Sequence, residues 1–195
     1  MRIQDKLISL RNKRGFTLVE LMIVVAIIGV LAALAIYGVR KYLTNAKSAE
    51  ARTAIGRIAK DSQVAYEREN MAGAILDLKD TVDIAHELCA AGVAIPAALA
   101  DVSNKKYQSD PGEWNVGGWG CLKFSMSDPQ YFQYEYVQTT ARSGDGAEFS
   151  AEAHGDLDGD LTPSTFSLGG KVQTGSGGEL VLTLAPTITE TAAEE

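Results

Sequence analysis

Three hydrophobic patterns succeed one another along the chain. From Phe16 to Val39 the side chains are almost continuously apolar, broken by Thr17 and Glu20, and residues 21–39 are nineteen consecutive uncharged positions. About 20 apolar residues cross a bilayer as a helix. A secretory signal has a shorter apolar core with a small-residue cleavage site behind it; here the run is longer, no such site follows, and Arg40 and Lys41 close it. The pattern then changes without a proline. Val39, Leu43, Ala46, Ile55, Ile58, Ala59, Ala65 and Tyr66 recur at helical spacing, with Lys47, Glu50, Arg57, Lys60, Asp61 and Glu67 mostly elsewhere. This predicts one helix from about Thr17 to about Asn70, about 80 Å long at the helical rise per residue. Its outer half outruns any membrane, so it needs a globular domain on one side and other subunits on another.

The third pattern is short alternation. Residues 71–120 contain one predicted helix near Leu78–Ala91, then Pro96, Pro111 and a glycine-rich stretch with Trp114 and Trp119, read as a loop region crossing the surface. Strand-length runs follow at 121–126, 131–140, 147–155, 164–170 and 179–184, with turns at "DPQ" (128–130) and "SGDG" (143–146). Phe132, Tyr134 and Tyr136 alternate with Gln133, Glu135 and Val137, as in a sheet with one packed and one wetter face. The expected fold class is α+β: a long N-terminal helix packed against an antiparallel β-sheet head. The division is 1–15 ahead of the apolar run, 16–40 apolar helix, 41–70 amphipathic outer half, 71–120 loop region, and 121–195 sheet with a frayed "ETAAEE" tail.

Charge sharpens this picture. Residues 1–14 hold Arg2, Lys6, Arg11, Lys13 and Arg14 against Asp5, a net +4; the chain totals −7, so the remainder carries −11. An acidic body excludes nucleic acid as partner, because phosphates need clustered cations. The positive head reads as the cytoplasmic side of a membrane span. Within the span, Glu20 costs a few kcal/mol on insertion scales, and such residues are usually functional. One reading is that it snorkels at the interface. A sharper one needs a cation: a cut between Gly15 and Phe16 creates an amine, and Glu20 lies four residues on, on the same helical face.

The stretch "RGFTLVELMIVVAIIGVLAAL" resembles the prepilin signature of type IV pilins and related pseudopilins: a short basic leader ending in glycine, an aromatic residue, a glutamate four residues on, and a long apolar helix. The resemblance covers about residues 11–70. It implies cleavage after Gly15 by a membrane-embedded prepilin peptidase, methylation of the Phe16 amine, and a mature chain Phe16–Glu195. It also implies pairing of Glu20 with the Phe16 amine of an adjacent subunit, and a homopolymer raised from the inner membrane by the pilus assembly machinery. The implied function is a structural subunit of a surface pilus serving adhesion and retraction-driven motility. Two alternatives stand beside it: a pseudopilin of a type II secretion system, and a minor pilin whose Trp/Gly-rich 111–120 region binds a ligand. One departure is Tyr37, where many pilins have proline. Gly29 and Gly38 either allow local unwinding or close helix packing.

Two further features concern the body. Cys89 and Cys121 cannot by themselves make a four-ligand zinc site, and His86 and His154 lack zinc-finger spacing. In an exported body a Cys89–Cys121 disulfide is expected; the alternative is two unrelated buried thiols. In "DLDGDLT", Asp156, Asp158, Asp160 and Thr162 sit at loop positions suited to calcium, but Leu161 and Ser167 break the EF-hand pattern, and an Asp/Gly hairpin turn has the same composition. No nucleophile elbow, phosphate loop or metalloprotease motif occurs, so no enzyme is expected and no cofactor beyond calcium.

Overall fold

The computed structural model describes residues 15–68, 86–139, 141–160 and 162–192. The chain divides into two compact units, Met1–Lys41 and Tyr42–Glu195. One helix, α1 (Leu18–Tyr66), supplies all the described secondary structure of the first unit and continues into the second. Its start is a capping box. The Thr17 hydroxyl accepts from the Glu20 amide at 3.2 Å, and Glu20 Oε2 accepts from both the Thr17 amide and the Thr17 hydroxyl at 2.8 Å. The helix runs through Gly29 and Gly38 without a break. The expected helix reaches about Asn70; the observed one ends at Tyr66, Glu67 and Arg68 are non-helical, and residues 69–70 lie outside those described.

Within the second unit α1 buries one face: Ser48, Ala51, Ala54, Ile55, Ile58, Ala59, Ser62, Ala65 and Tyr66, at spacings of three and four. The sequence-read stripe is correct from Ile55 onward. Val39, Leu43 and Ala46, read as its earlier members, are exposed.

This face packs on an antiparallel sheet of six strands: β1 (Gly92–Ile95), β2 (Gln133–Gln138), β3 (Glu148–Gly155), β4 (Ser164–Thr174), β5 (Leu180–Leu184) and β6 (Thr189–Thr191). The order is β1-β2-β3-β4-β5, with β6 pairing the other end of β4. Tyr134 and Tyr136 of β2 face inward opposite Ala153 and Ala151 of β3; Phe149, Phe166, Val172 and Leu182 complete the inner layer. Bulky rings on one strand opposite alanines on the next fill the space under α1. The Tyr136 phenol, pushed up to about 12 by burial, hydrogen-bonds Ser62 of α1 at 2.9 Å. At the far end, Arg52 of α1 grips Glu190 of β6 through two hydrogen bonds of 2.6 and 2.9 Å, which holds the Glu190 pKa below its ordinary value.

Three sequence expectations need correction. Residues 121–126 are not a strand. The short helix α2 (Gly117–Leu122) ends there at Lys123, whose φ is 60°. Leu122 and Phe124 are buried and their neighbours exposed, so the alternation marks one-sided burial without a strand ladder. Second, 71–120 is not all loop, because 92–95 is edge strand β1. Its four residues begin with Gly92 and run straight into Pro96, too short to register as alternation. Third, of the helix expected near Leu78–Ala91, residues 78–85 lie outside those described and 86–91 are non-helical. Arg142 occupies the Leu88 backbone there: its carbonyl accepts from the Leu88 amide at 2.7 Å, and its Nε donates to the Leu88 carbonyl at 2.9 Å. Elsewhere β4 exceeds expectation, running through Gly169-Gly170 to Thr174, and the tail expected to fray from Glu190 instead gives Glu190 and Thr191 to β6, paired with β4 and held by Arg52. A Cβ at Gly170 would meet the Phe149 ring, so this glycine serves packing, not a turn.

The buried and bare stretches of α1 should respond differently to truncation. Ile58→Ala, at 0% exposure, is expected to cost about 2–5 kcal/mol of head stability. Ile27→Ala, at 54% exposure, should leave head stability unchanged. Thermal unfolding of the detergent-solubilised chain, followed by tryptophan fluorescence, distinguishes them.

Candidate assembly site

Gly15 and Phe16 precede the helix in non-helical conformation, and Phe16 is 86% exposed. Among the described residues, a Cβ built on Gly15 would meet nothing within 4 Å. The basic leader itself, 1–14, lies outside the described residues. Glu20 stands one turn into the site. Both Thr17 bonds end on Oε2, so the carboxylate is already aimed while Oε1 takes neither. Sequence reasoning weighed snorkelling against pairing for Glu20 and overlooked Thr17, although Thr17-Leu-Val-Glu20 carries the capping-box signature.

Behind this end the helix is bare. Sixteen large apolar side chains from Phe16 to Val39 are exposed. By length and composition the helix can cross a membrane. At about 1.5 kcal/mol or more for each such side chain, their exposure to water amounts to on the order of 20 kcal/mol. That exceeds the about 5–15 kcal/mol that holds an ordinary domain together. The helix must therefore be covered, by lipid or by protein.

The head supplies rigidity. Cys89 and Cys121 form a disulfide, Cα–Cα 5.7 Å, which ties the segment before β1 to α2. Trp114 and Trp119 are 1% and 0% exposed; they pack edge to face at 5.0 Å and both meet Phe124. This burial overturns the two tryptophans as a ligand surface: their indoles are core, and their N–H groups are taken by Ser109 Oγ and the Val93 carbonyl. Glu50 is a half-buried carboxylate of α1. Burial raises its pKa, against the opposing hydrogen bonds from the Tyr131 amide at 2.9 Å and the Tyr134 hydroxyl at 3.1 Å.

The acidic loop brings Asp156, Asp158 and Asp160 together, with candidate ligand oxygens within 4.8 Å of one another. Asp156 is 2% exposed and accepts from Ser103 Oγ at 2.6 Å and the Gly159 amide at 2.7 Å. Asp158 accepts from the Asp160 amide, and Asp160 from the Thr162 amide. These are successive Asx turns that fold the loop by itself. Were the loop to hold an ion, its hard oxygen donors would select calcium. His154 stands apart, bonded to Glu152 and Thr165.

Residues 10–36 match the family model described as the prokaryotic N-terminal methylation motif. The type IV major pilin protein PilA of Myxococcus xanthus is 62% identical over 42 residues, covering 22% of this chain and 19% of that protein. The fimbrial protein of Moraxella nonliquefaciens is 54% identical over 41 residues, 21% of this chain and 27% of that one. The chain thus spans between a fifth and about a quarter of the length of these two relatives. A type IV major fimbrial protein FimA of Dichelobacter nodosus is 32% identical over 114 residues, 52% of this chain and 73% of its own length. No solved structure matches the chain. An apolar helix opening on a methylation motif and continuing under an antiparallel sheet is a pilin-like α+β arrangement. The chain belongs to the type IV pilins.

Glu50 gives this region a pH signature. Its folded pKa is raised, so the head is favoured by the protonated form; that contribution is complete below the unfolded carboxylate pKa and is lost as pH rises through the folded one. Glu50→Gln, which keeps an acceptor for Tyr131 and Tyr134, is therefore expected to raise the thermal midpoint at neutral pH. The gain should vanish once the medium falls below the ordinary carboxylate range. Melting curves of both proteins across pH check this.

Proposed function

We propose that this chain is the structural subunit that polymerises into a type IV pilus. The observation that carries the reading is the bare stretch of α1, which no described part of its own chain covers. A single span in lipid has no hydrophobic reason to associate, since lipid tails are as apolar as leucine. Transfer into a bundle of like helices exchanges lipid for protein without passing through water. What the exchange needs is a register signal, and the Thr17-aimed Glu20 carboxylate supplies one.

In this proposal a prepilin peptidase removes residues 1–15 and methylates the Phe16 amine. The mature chain waits in the inner membrane, leader side in the cytoplasm. Its Glu20 meets the Phe16 amine of the adjacent subunit, and the assembly machinery lifts each helix into the growing core. The pair sets register; desolvation offsets part of its Coulomb attraction. The product is a surface fibre, and its service in adhesion and retraction-driven motility belongs to the same proposal. The names of the relatives, a type IV major pilin and major fimbrial proteins, support the major-subunit reading over a pseudopilin. Burial of Trp114 and Trp119 takes their indoles out of the 111–120 surface on which the binding-module reading drew, which counts against it.

Mass spectrometry of sheared surface fibres should find a chain beginning at Phe16 with one added methyl group; an intact Met1 terminus in those fibres would contradict processing. Glu20→Val should leave the protein in the membrane and lower fibre yield about tenfold or more, the weight of about 1.4 kcal/mol. Normal fibre yield from that variant would remove the role given to the carboxylate.

A further inference from the structure

The outer face of the sheet carries a side-chain cluster with no part in the assembly site. Tyr134 and Tyr136 of β2 and Ala151 and Ala153 of β3 point inward, so their alternates Glu135, Glu152 and His154 stand on the other face. Glu135 lies directly opposite Glu152 in the ladder, and His154 lies opposite Thr165 of β4. Cross-strand partners hold their Cβ atoms about 5 Å apart, and like charges placed so repel. Among the described residues no lysine or arginine pairs with either glutamate. Two carboxylates and an imidazole thus share one patch of sheet without a balancing side-chain cation.

The imidazole is aimed from both sides. Its Nδ1 meets the Thr165 hydroxyl at 3.1 Å, and its Nε2 stands 3.3 Å from Glu152 Oε2. Zinc takes nitrogen and oxygen donors at about 2.0–2.2 Å in a tetrahedral array, which sets neighbouring donors about 3.4 Å apart. The separation of His154 from Glu152 matches one edge of such a tetrahedron. A metal-bound histidine is held through its second nitrogen by an outer hydrogen bond, and Thr165 occupies that place here. Glu135 brings a third donor from the neighbouring strand by side-chain rotation, and water completes the set. The His154 and Glu152 side chains, 22% and 27% exposed, are shielded yet open to an incoming ion.

We propose that Glu135, Glu152 and His154 form a binding site for a zinc-class divalent ion, which ties β2 to β3 on the outer face of the head. One imidazole and two carboxylates suit zinc better than calcium, which collects six to eight oxygen donors. The ligands differ from those of the acidic loop, where Asp156, Asp158 and Asp160 offer oxygen alone. His154 has no zinc-finger spacing because its partners come from strand pairing: Glu152 two residues away on the same face, Glu135 across the ladder.

The test is calorimetric titration of zinc chloride into the detergent-solubilised full chain. His154→Ala and Glu135→Gln should each weaken binding about tenfold or more. His86→Ala, which removes the chain's other histidine, and Asp158→Asn in the acidic loop should leave it unchanged. Glu135→Gln keeps the size of a half-buried side chain, so it reads the site on a folded head even where His154→Ala unfolds. Copper(II) as a spectroscopic stand-in identifies the donor: electron paramagnetic resonance should show coupling to an imidazole nitrogen that persists in His86→Ala and disappears in His154→Ala. Absence of zinc binding, equal zinc affinity in the parent chain and Glu135→Gln, or imidazole coupling that survives His154→Ala would overturn the site. None of these outcomes bears on polymerisation, which is read from fibres.

Discussion

The constraint on which everything else depends is the uncovered apolar length of α1 between Phe16 and Val39. Its exposure to water would cost more free energy than a folded head supplies. The chain therefore has two acceptable environments for that stretch, lipid and a bundle of similar helices. A protein that moves between them needs no soluble intermediate, and its fold never has to change. In the proposed assembly the same helix serves as anchor in one state and core in the other.

The head explains how one helix can serve both. Its sheet grips α1 from Ser48 onward through small side chains, Ala51, Ala54 and Ala59, which let the aromatic rings of β2, β3 and β4 close over the helix. Ser62 with Tyr136, and Arg52 with Glu190, fix the helix at separate points along the sheet. The Cys89–Cys121 link and the Trp114–Trp119–Phe124 cluster brace the region around α2 and β1. Edge strand β1 is itself shielded: the Gly118 amide and the Trp119 indole donate to the carbonyls of Ala91 and Val93. Covering an edge in this way discourages uncontrolled strand pairing.

The legible parts were those with a long or strong period. The helix was readable because a long apolar run passes, with no proline, into apolar positions at helical spacing, and β2 through β5 were readable from alternation. The segment 121–126 misled because Leu122 and Phe124 alternate in burial while Lys123 in a left-handed conformation ends a helix. Strand β1 was invisible because four residues, the first a glycine and the last followed by a proline, carry too little pattern. The tryptophans were misread because a glycine-rich context looks like a surface loop; here Gly92 and Gly118 instead let backbone and indole approach closely. A Cβ on Gly92 would stand 2.8 Å from the Trp119 ring. At the assembly site, Gly15, Phe16 and Glu20 were marked by charge and spacing. The part played by Thr17 was written in the sequence and passed over, because attention to the carboxylate's distant partner hid its near one.

The most direct test of the account is a cryo-electron microscopy map of fibres sheared from the cell surface. The account predicts that residues 18–43 lie in a central bundle of helices, away from water, with the sheet heads outside. A fibre in which that stretch of α1 faces solvent, or fibres that contain none of this chain while it stays in the membrane with its leader attached, would contradict it.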